Sequence, residues 1–372
     1  MSNDALQRLD AVLRFASARN ISDLHIKALQ RPVYRRHGAL ISRKDEPAFS
    51  ASDLEELRDI LLPKALIPEF SAQGEATFCY GLVGGGQFRM TVLQQAGIPA
   101  IAARVLATKV TNLRELNLPK HFGNWALAPG GLVLIAGAAG SGRSSLWAAL
   151  IDHVNTSAPS TRHVLALQSP IEANFDDRVA FLRQRQIGTD CPDLASALRS
   201  AARLDCDLVA IDAVAPRLLE QALDVADAGP TVLMVVPGTG PIEALRRLLD
   251  DSDPVHREVL RQRLTGRLRA VVSQTLIPTQ DGQSRVPAVQ ALVATAPVQE
   301  VLRGGHDLEL LRNVMEQGRA WGMVTIDQSL AELVSAGQIS LEVGLQYAHS
   351  PEQMRSKIGH VRPGATGLTE IL

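Results

Sequence analysis

The run Gly137-Ala138-Ala139-Gly140-Ser141-Gly142-Arg143-Ser144 has the residue types and spacing of a phosphate-binding loop, with one exception. Its glycines let successive backbone N–H groups turn inward on a chain of phosphates, and a helix starting at the end of the loop adds the positive end of its dipole. Ser144 supplies the hydroxyl that such loops place on Mg²⁺, and Gly137, Gly140, Ser141, Gly142, Arg143 and Ser145 complete the expected cradle. Arg143 stands where these loops use lysine. An ammonium is compact and rotatable, whereas a guanidinium is a wider planar fork, so Arg143 keeps the charge and changes the geometry. Nucleotide binding and nucleotide hydrolysis thus become separate questions. A glycine-rich strand-to-helix turn with no ligand is the plain alternative.

The elements needed to hold such a loop are legible around it. Gly131-Leu132-Val133-Leu134-Ile135-Ala136 reads as a buried parallel strand, and Ser144 to Val154 as the helix that follows the loop. Apolar runs at Leu132 to Ala136, His163 to Leu167, Asp207 to Ile211 and Thr231 to Val236 alternate with helical stretches at Pro192 to Arg203 and Arg217 to Ala226. This alternation predicts an α/β domain with a parallel sheet covered on both faces and ligands at the carboxyl ends of its strands. The first hundred residues read differently, as an α+β domain. A helix over Asp4 to Arg19 precedes short strands at Ile21 to Ile26, Pro32 to His37, Ala76 to Gly81, Gln87 to Leu93 and Pro99 to Leu106. Ser52-Asp53-Leu54-Glu55 reads as a capping box opening a helix that ends near Pro63. Helices at Leu308 to Gln317, Ile326 to Ala336 and Leu341 to Ala348 close the pattern. The resulting division is 1–107, a linker over 108–122, 123–298, a helical region over 299–350 and a tail over 351–372.

Composition narrows the function classes. Lys+Arg 38 against Asp+Glu 39 leaves a net charge of −1, which excludes broad electrostatic attraction to nucleic acid or to an anionic membrane. The three cysteines, Cys79, Cys191 and Cys206, are too scattered for a disulfide framework or a zinc site and read as buried thiols of a reducing compartment. No signal pattern opens the chain and no stretch is long and apolar enough to span a membrane, so a cytoplasmic location is expected. Trp125, Trp147 and Trp321 read as packing residues, and Glu172 and Asp205 as caps of turns or helices.

Ordered motifs over nearly the whole chain resemble a known family. Ser22-Asp23-Leu24-His25, the glycine-rich loop, Pro170-Ile171-Glu172, Gln184-Arg185, Ala195-Ser196-Ala197-Leu198-Arg199 and Arg269-Ala270-Val271-Val272-Ser273-Gln274 are similar to the secretion ATPases of type IV pili. Met315-Glu316-Gln317-Gly318, Thr325-Ile326-Asp327-Gln328 and Ser350-Pro351 resemble its retraction branch, the PilT/PilU type. The resemblance implies a PAS-like N-terminal domain at 1–107, a RecA-like domain at 123–298 and a six-membered ring binding ATP and Mg²⁺ between subunits.

The departures from that family concentrate on hydrolysis. Where the family carries an acidic pair before a proline, this chain has Gln168-Ser169-Pro170, and glutamine cannot take a proton from an attacking water. The family's Walker B glutamate falls on Ala213. Asp212 is one residue early, on the other face of a strand, and serves only if the backbone bulges. The family histidine falls on Pro237. Arg104 matches one of two arginines that reach a neighbouring subunit's phosphates, and the second falls on Ala96. The expectation is a pseudo-ATPase that forms its own hexamer, or an assembly with an active retraction ATPase, and meets the inner membrane only through partners such as the platform protein. Two alternatives stay open, a slow ATPase recruiting Asp212 or Glu172 as base, and a sensor holding another phosphate-bearing ligand.

Overall fold

A computed structural model describes residues 4–19, 21–36, 39–83, 86–106, 110–213, 219–305 and 307–358. The chain separates into two compact units, Met1–Lys109 with Pro170–Asn174, and Val110–Ser169 with Phe175–Leu372. The short return of Pro170–Asn174 to the first unit is not visible to a division drawn along the sequence, because it depends on contacts far apart in the chain.

The first unit is built on strands β1 (Ile21–Ile26), β2 (Val33–Arg36), β3 (Ala39–Ser42), β4 (Glu75–Gly81), β5 (Gln87–Gln95) and β6 (Ile98–Leu106). They form an antiparallel sheet in the order β3-β2-β1-β6-β5-β4. Period-two burial sets the register. Phe88, Met90 and Val92 of β5 point into the core, and Arg89 and Thr91 between them do not. Helices Asp4–Ala18 and Ala51–Leu61 cover that face with Leu9, Leu13, Leu54 and Leu57. The second helix starts two residues earlier than the sequence pattern suggested. Ser50 is the N-cap, its hydroxyl accepting from the Asp53 N–H while the Asp53 carboxylate accepts from the Ser50 N–H. Ser50 is extended and thus available as a cap, whereas Ser52 is already helical. The predicted glycine turn at 84–86 lies partly outside the described residues.

In the second unit, β7 (Gly131–Gly137), β8 (His163–Gln168), β9 (Phe181–Gln186), β10 (Leu208–Asp212), β11 (Thr231–Pro237), β12 (Leu268–Pro278) and β13 (Arg285–Val293) form one sheet, in the order β13-β12-β7-β11-β10-β8-β9. All neighbours are parallel except β13, which returns antiparallel beside β12. Every residue of β7 is buried, as expected for a parallel strand covered on both faces. Leu132, Leu134 and Ala136 pack with helices Leu194–Ala201, Leu219–Asp227 and Pro241–Asp250. The helix after the loop, Arg143–Ser157, lies outside that cluster and contacts β7, β10 and β11 from the other face.

A satellite core joins Ile277, Val286 and Ala288 of the β12–β13 hairpin to Ile326, Leu330, Ile339 and Met354. Met354 corrects the first part of the segment read as a tail, because Pro351–Ile358 is a helix that buries this residue completely, and residues 359–372 lie outside the described residues. The buried Asp327 carboxylate anchors the segment entering it by accepting from the backbone N–H groups of His349, at 2.7 Å, and Ser350. One methionine in a charged octapeptide gives little periodic signal, which is why the helix escaped the pattern. Among the described residues no helix is long and apolar enough to cross a membrane.

Candidate nucleotide site

The loop begins where β7 ends and finishes at the helix Arg143–Ser157. Gly140 and Gly142 have φ of +77° and +91°, a region that L side chains rarely adopt. Gly137 is required for space, since a Cβ there would lie 2.2 Å from Ser141 Oγ. Gly142 is the N-cap of the helix and supplies no side-chain cap. Backbone donors of the first turn are therefore left to a ligand, and the dipole favours an anionic one. Ser141 is buried, its N–H donates to the Ala138 carbonyl at 3.2 Å, and among the described residues its hydroxyl has no hydrogen-bond partner. Ser144 is half-buried at the start of the helix and Ser145 is exposed.

Arg143 does not project freely from the loop. Its stem passes under Gly137, where a Cβ would meet Arg143 Cγ at 2.8 Å. Its guanidinium sits 3.4 Å from the Val236 carbonyl, longer than a good hydrogen bond. The charge thus lies at the ends of β7 and β11, beside the loop that would hold phosphates.

Gln168, Asp212 and Pro237 meet at the same carboxyl edge. Gln168 is 1% exposed, ends β8 and accepts a 3.3 Å contact from the Gln184 amide. Asp212 ends β10 in direct register with Gln168, and the pairing runs from Leu208 to Asp212 without a shift. The bulge that would swing Asp212 toward the position of residue 213 is therefore absent from β10. Ala213 packs against the core on the opposite face. Pro237 ends β11 paired with Gly137, where it brings neither an N–H nor a titratable side chain to the loop.

Arg104, Ala96 and Glu172 belong to the first unit. Arg104 of β6 lies opposite Asp23 of β1 and donates Nε to its carboxylate at 2.9 Å. Burial pushes the Asp23 carboxyl up, but hydrogen bonds from Arg104 and Ser22 outweigh it and hold the group below its ordinary value. Ala96 and Gly97, both at positive φ, form the two-residue turn of the β5–β6 hairpin, and Ala96 is exposed. Glu172 is ion-paired with Arg89 of β5, and the Cys79 thiol donates to the neighbouring Ile171 carbonyl at 2.9 Å. Burial raises the Cys79 thiol above its ordinary value, with Glu172 adding to the effect and Arg89 opposing it. Trp125 and Trp147 are buried as expected, but Trp321 is 69% exposed, turned outward on the short 3₁₀ turn Gly318–Trp321.

The sequence marks Gln274 only as the end of the Arg269 to Gln274 motif and gives it no role at the loop. This β12 residue is 4% exposed and its Nε2 donates to the Ser141 carbonyl at 2.8 Å. Beside that motif, the signal was a glutamine inside the apolar run Val271-Val272-Ser273-Gln274-Thr275-Leu276-Ile277.

Comparison with known proteins decides the family. Residues 86–372 match the model of the type II/IV secretion system proteins. The chain belongs to that family. It is 30% identical to a twitching motility protein of Neisseria gonorrhoeae over 87% of its own length and 86% of that protein. It is 28% identical to the type IV pilus ATPase PilU of Pseudomonas aeruginosa, covering 94% and 91% of the two chains. The crystal structure of the pilus retraction motor PilT with bound ADP superposes with a TM-score of 0.84 at 27% identity, over 94% of this chain and 99% of that one. The α/β architecture, an N-terminal domain followed by a RecA-like domain, is thus that of the pilus retraction ATPases.

Proposed function

We propose that this chain is a ring-forming P-loop protein of the type IV pilus retraction machinery, which drives twitching motility, and that it binds ATP weakly or not at all and is deficient in hydrolysis. The observation that supports this reading is the carboxyl edge beside the loop, where Gln168 ends β8, Pro237 ends β11 and Ala213 follows β10, with none of the three bringing a titratable side chain; the family resemblance expects a carboxylate, a histidine and a glutamate at these positions. A positioned base contributes about 10²–10⁴ in rate and an arginine on the transferring phosphoryl about 10³–10⁵. Loss of several such groups leaves turnover near background, although the factors do not simply multiply.

The loop itself fits a phosphate chain. Its uncapped helix start and the crowding that a Cβ would cause at Gly137 and Gly142 describe a cradle for an anion. Gly137, Gly140, Ser141, Gly142, Arg143, Ser144 and Ser145 would hold the phosphates. Mg²⁺, which neutralises phosphate charge when bound, would take Ser144 as its protein ligand and complete its shell with phosphate oxygens and water. Arg104 and the domain limits 1–107, 123–298 and 299–350 follow the family arrangement, in which nucleotide lies between subunits of a hexamer. The role is then structural or regulatory, as a homo-hexamer or as a partner of an active retraction ATPase at the cytoplasmic side of the inner-membrane platform.

One observation favours the slow ATPase instead. Asp212 lies beside Gln168 on the face of the sheet that carries the loop helix. Analytical ultracentrifugation at micromolar concentration, alone and with an active PilT-type ATPase, tests the assembly role: a ring or mixed complex is expected, and a persistent monomer in both mixtures contradicts it. Trace hydrolysis of radiolabelled ATP that disappears in Asp212→Asn would select the slow enzyme.

A further inference from the structure

We infer that Gln274 is a positioning residue of the phosphate loop, fixing the Ser141–Gly142 peptide so that the Gly142 N–H faces the ligand side. This rests on the phosphate-loop reading above. In a trans peptide the carbonyl and the following N–H point in opposite directions. The Ser141 carbonyl is bonded to Gln274 Nε2 at 2.8 Å, toward β12, so the Gly142 N–H is aimed away from β12. Gly142 also opens the helix Arg143–Ser157, so the same peptide begins the row of backbone donors available to an anion. The contact is close, since a Cβ at 142 would lie 2.1 Å from Gln274 Nε2 and would have to push the amide off the Ser141 carbonyl.

The chemistry of Gln274 supports a positioning role over simple packing. It is almost fully buried, and its Oε1 has no hydrogen-bond partner among the described residues. A methionine of similar shape would remove that unpaired acceptor but strand the Ser141 carbonyl, so what the glutamine brings to the site is its donor. Turning the amide over would set its oxygen against the Ser141 carbonyl oxygen, which leaves the donor orientation as the one the site permits.

The test uses the full chain labelled with ¹⁵N-glycine, as wild type, Gln274→Met and Gln274→Glu. Thermal unfolding of Gln274→Met is expected within a few degrees of wild type, because packing is kept. Relaxation dispersion at the Gly142 ¹⁵N, absent in wild type, is expected in both variants as the freed Ser141–Gly142 peptide samples a second orientation, and the dissociation constant for ADP, read by calorimetry, to rise about fivefold to tenfold, the worth of one buried hydrogen bond. A Gly142 ¹⁵N without dispersion in Gln274→Met overturns the inference, as does wild-type ADP affinity in that variant. If the wild-type chain binds no ADP, the phosphate-loop reading is what fails, and the Gly142 dispersion alone decides the role of Gln274.

Discussion

Single alanines at the loop glycines separate backbone conformation from crowding. At Gly140, φ is +77° and nothing lies within 4 Å of an added Cβ. Alanine there costs about 1–2 kcal/mol for the left-handed backbone, offset by about 0.4–1 kcal/mol from a less flexible unfolded chain, for a net of about 1 kcal/mol. At Gly142 the same backbone cost is joined by a Cβ 2.1 Å from Gln274 Nε2. Relieving that overlap breaks the bond to Ser141 and leaves buried groups unpaired, which adds about 1–3 kcal/mol, so a net of about 3 kcal/mol is expected. For a unit of this size these values correspond to falls in melting temperature of about 2–4 °C for Gly140→Ala and about 6–12 °C for Gly142→Ala. Differential scanning calorimetry of the two variants checks the order. Equal shifts would refute the claim that β12 clamps the loop at Gly142.

Arg143→Lys should tighten ADP binding by calorimetry, because a compact ammonium can reach phosphates that the guanidinium stem, lying under Gly137, serves poorly. It should leave ATP turnover at background, since no base is restored at Gln168 or Ala213. Burial raises the Glu332 carboxyl above its ordinary value of 4.5, against the lowering effect of Arg319, whose Nη2 lies 2.6 Å from Oε1. A carboxyl raised in the folded state favours folding when protonated. Its contribution is complete below 4.5 and is lost as pH rises through the folded value. Urea titrations across that window should show the loss in wild type and a flatter profile in Glu332→Gln.

Long apolar strands and the loop were legible because period and spacing alone specify them. The strands β7, β8, β10 and β11 and the helix after the loop all follow from local pattern. β9 was not legible, since Phe181-Leu182-Arg183-Gln184-Arg185-Gln186 is a polar edge strand whose pairing with β8 supplies the reason for its form. The return of Pro170–Asn174 to the first unit, and Gln274 under Ser141, depend on contacts across 83 and 133 residues that no local window contains. Ser50 was passed over for Ser52 because both satisfy the capping pattern and only the extended backbone at 50 separates them.

The central claim is that the loop survives without the chemistry that once used it. Steady-state release of phosphate from saturating Mg·ATP by the purified full chain tests it most directly. Release indistinguishable from the buffer blank, unchanged in Arg143→Ala, is the predicted result. Sustained turnover that Arg143→Ala abolishes would contradict it.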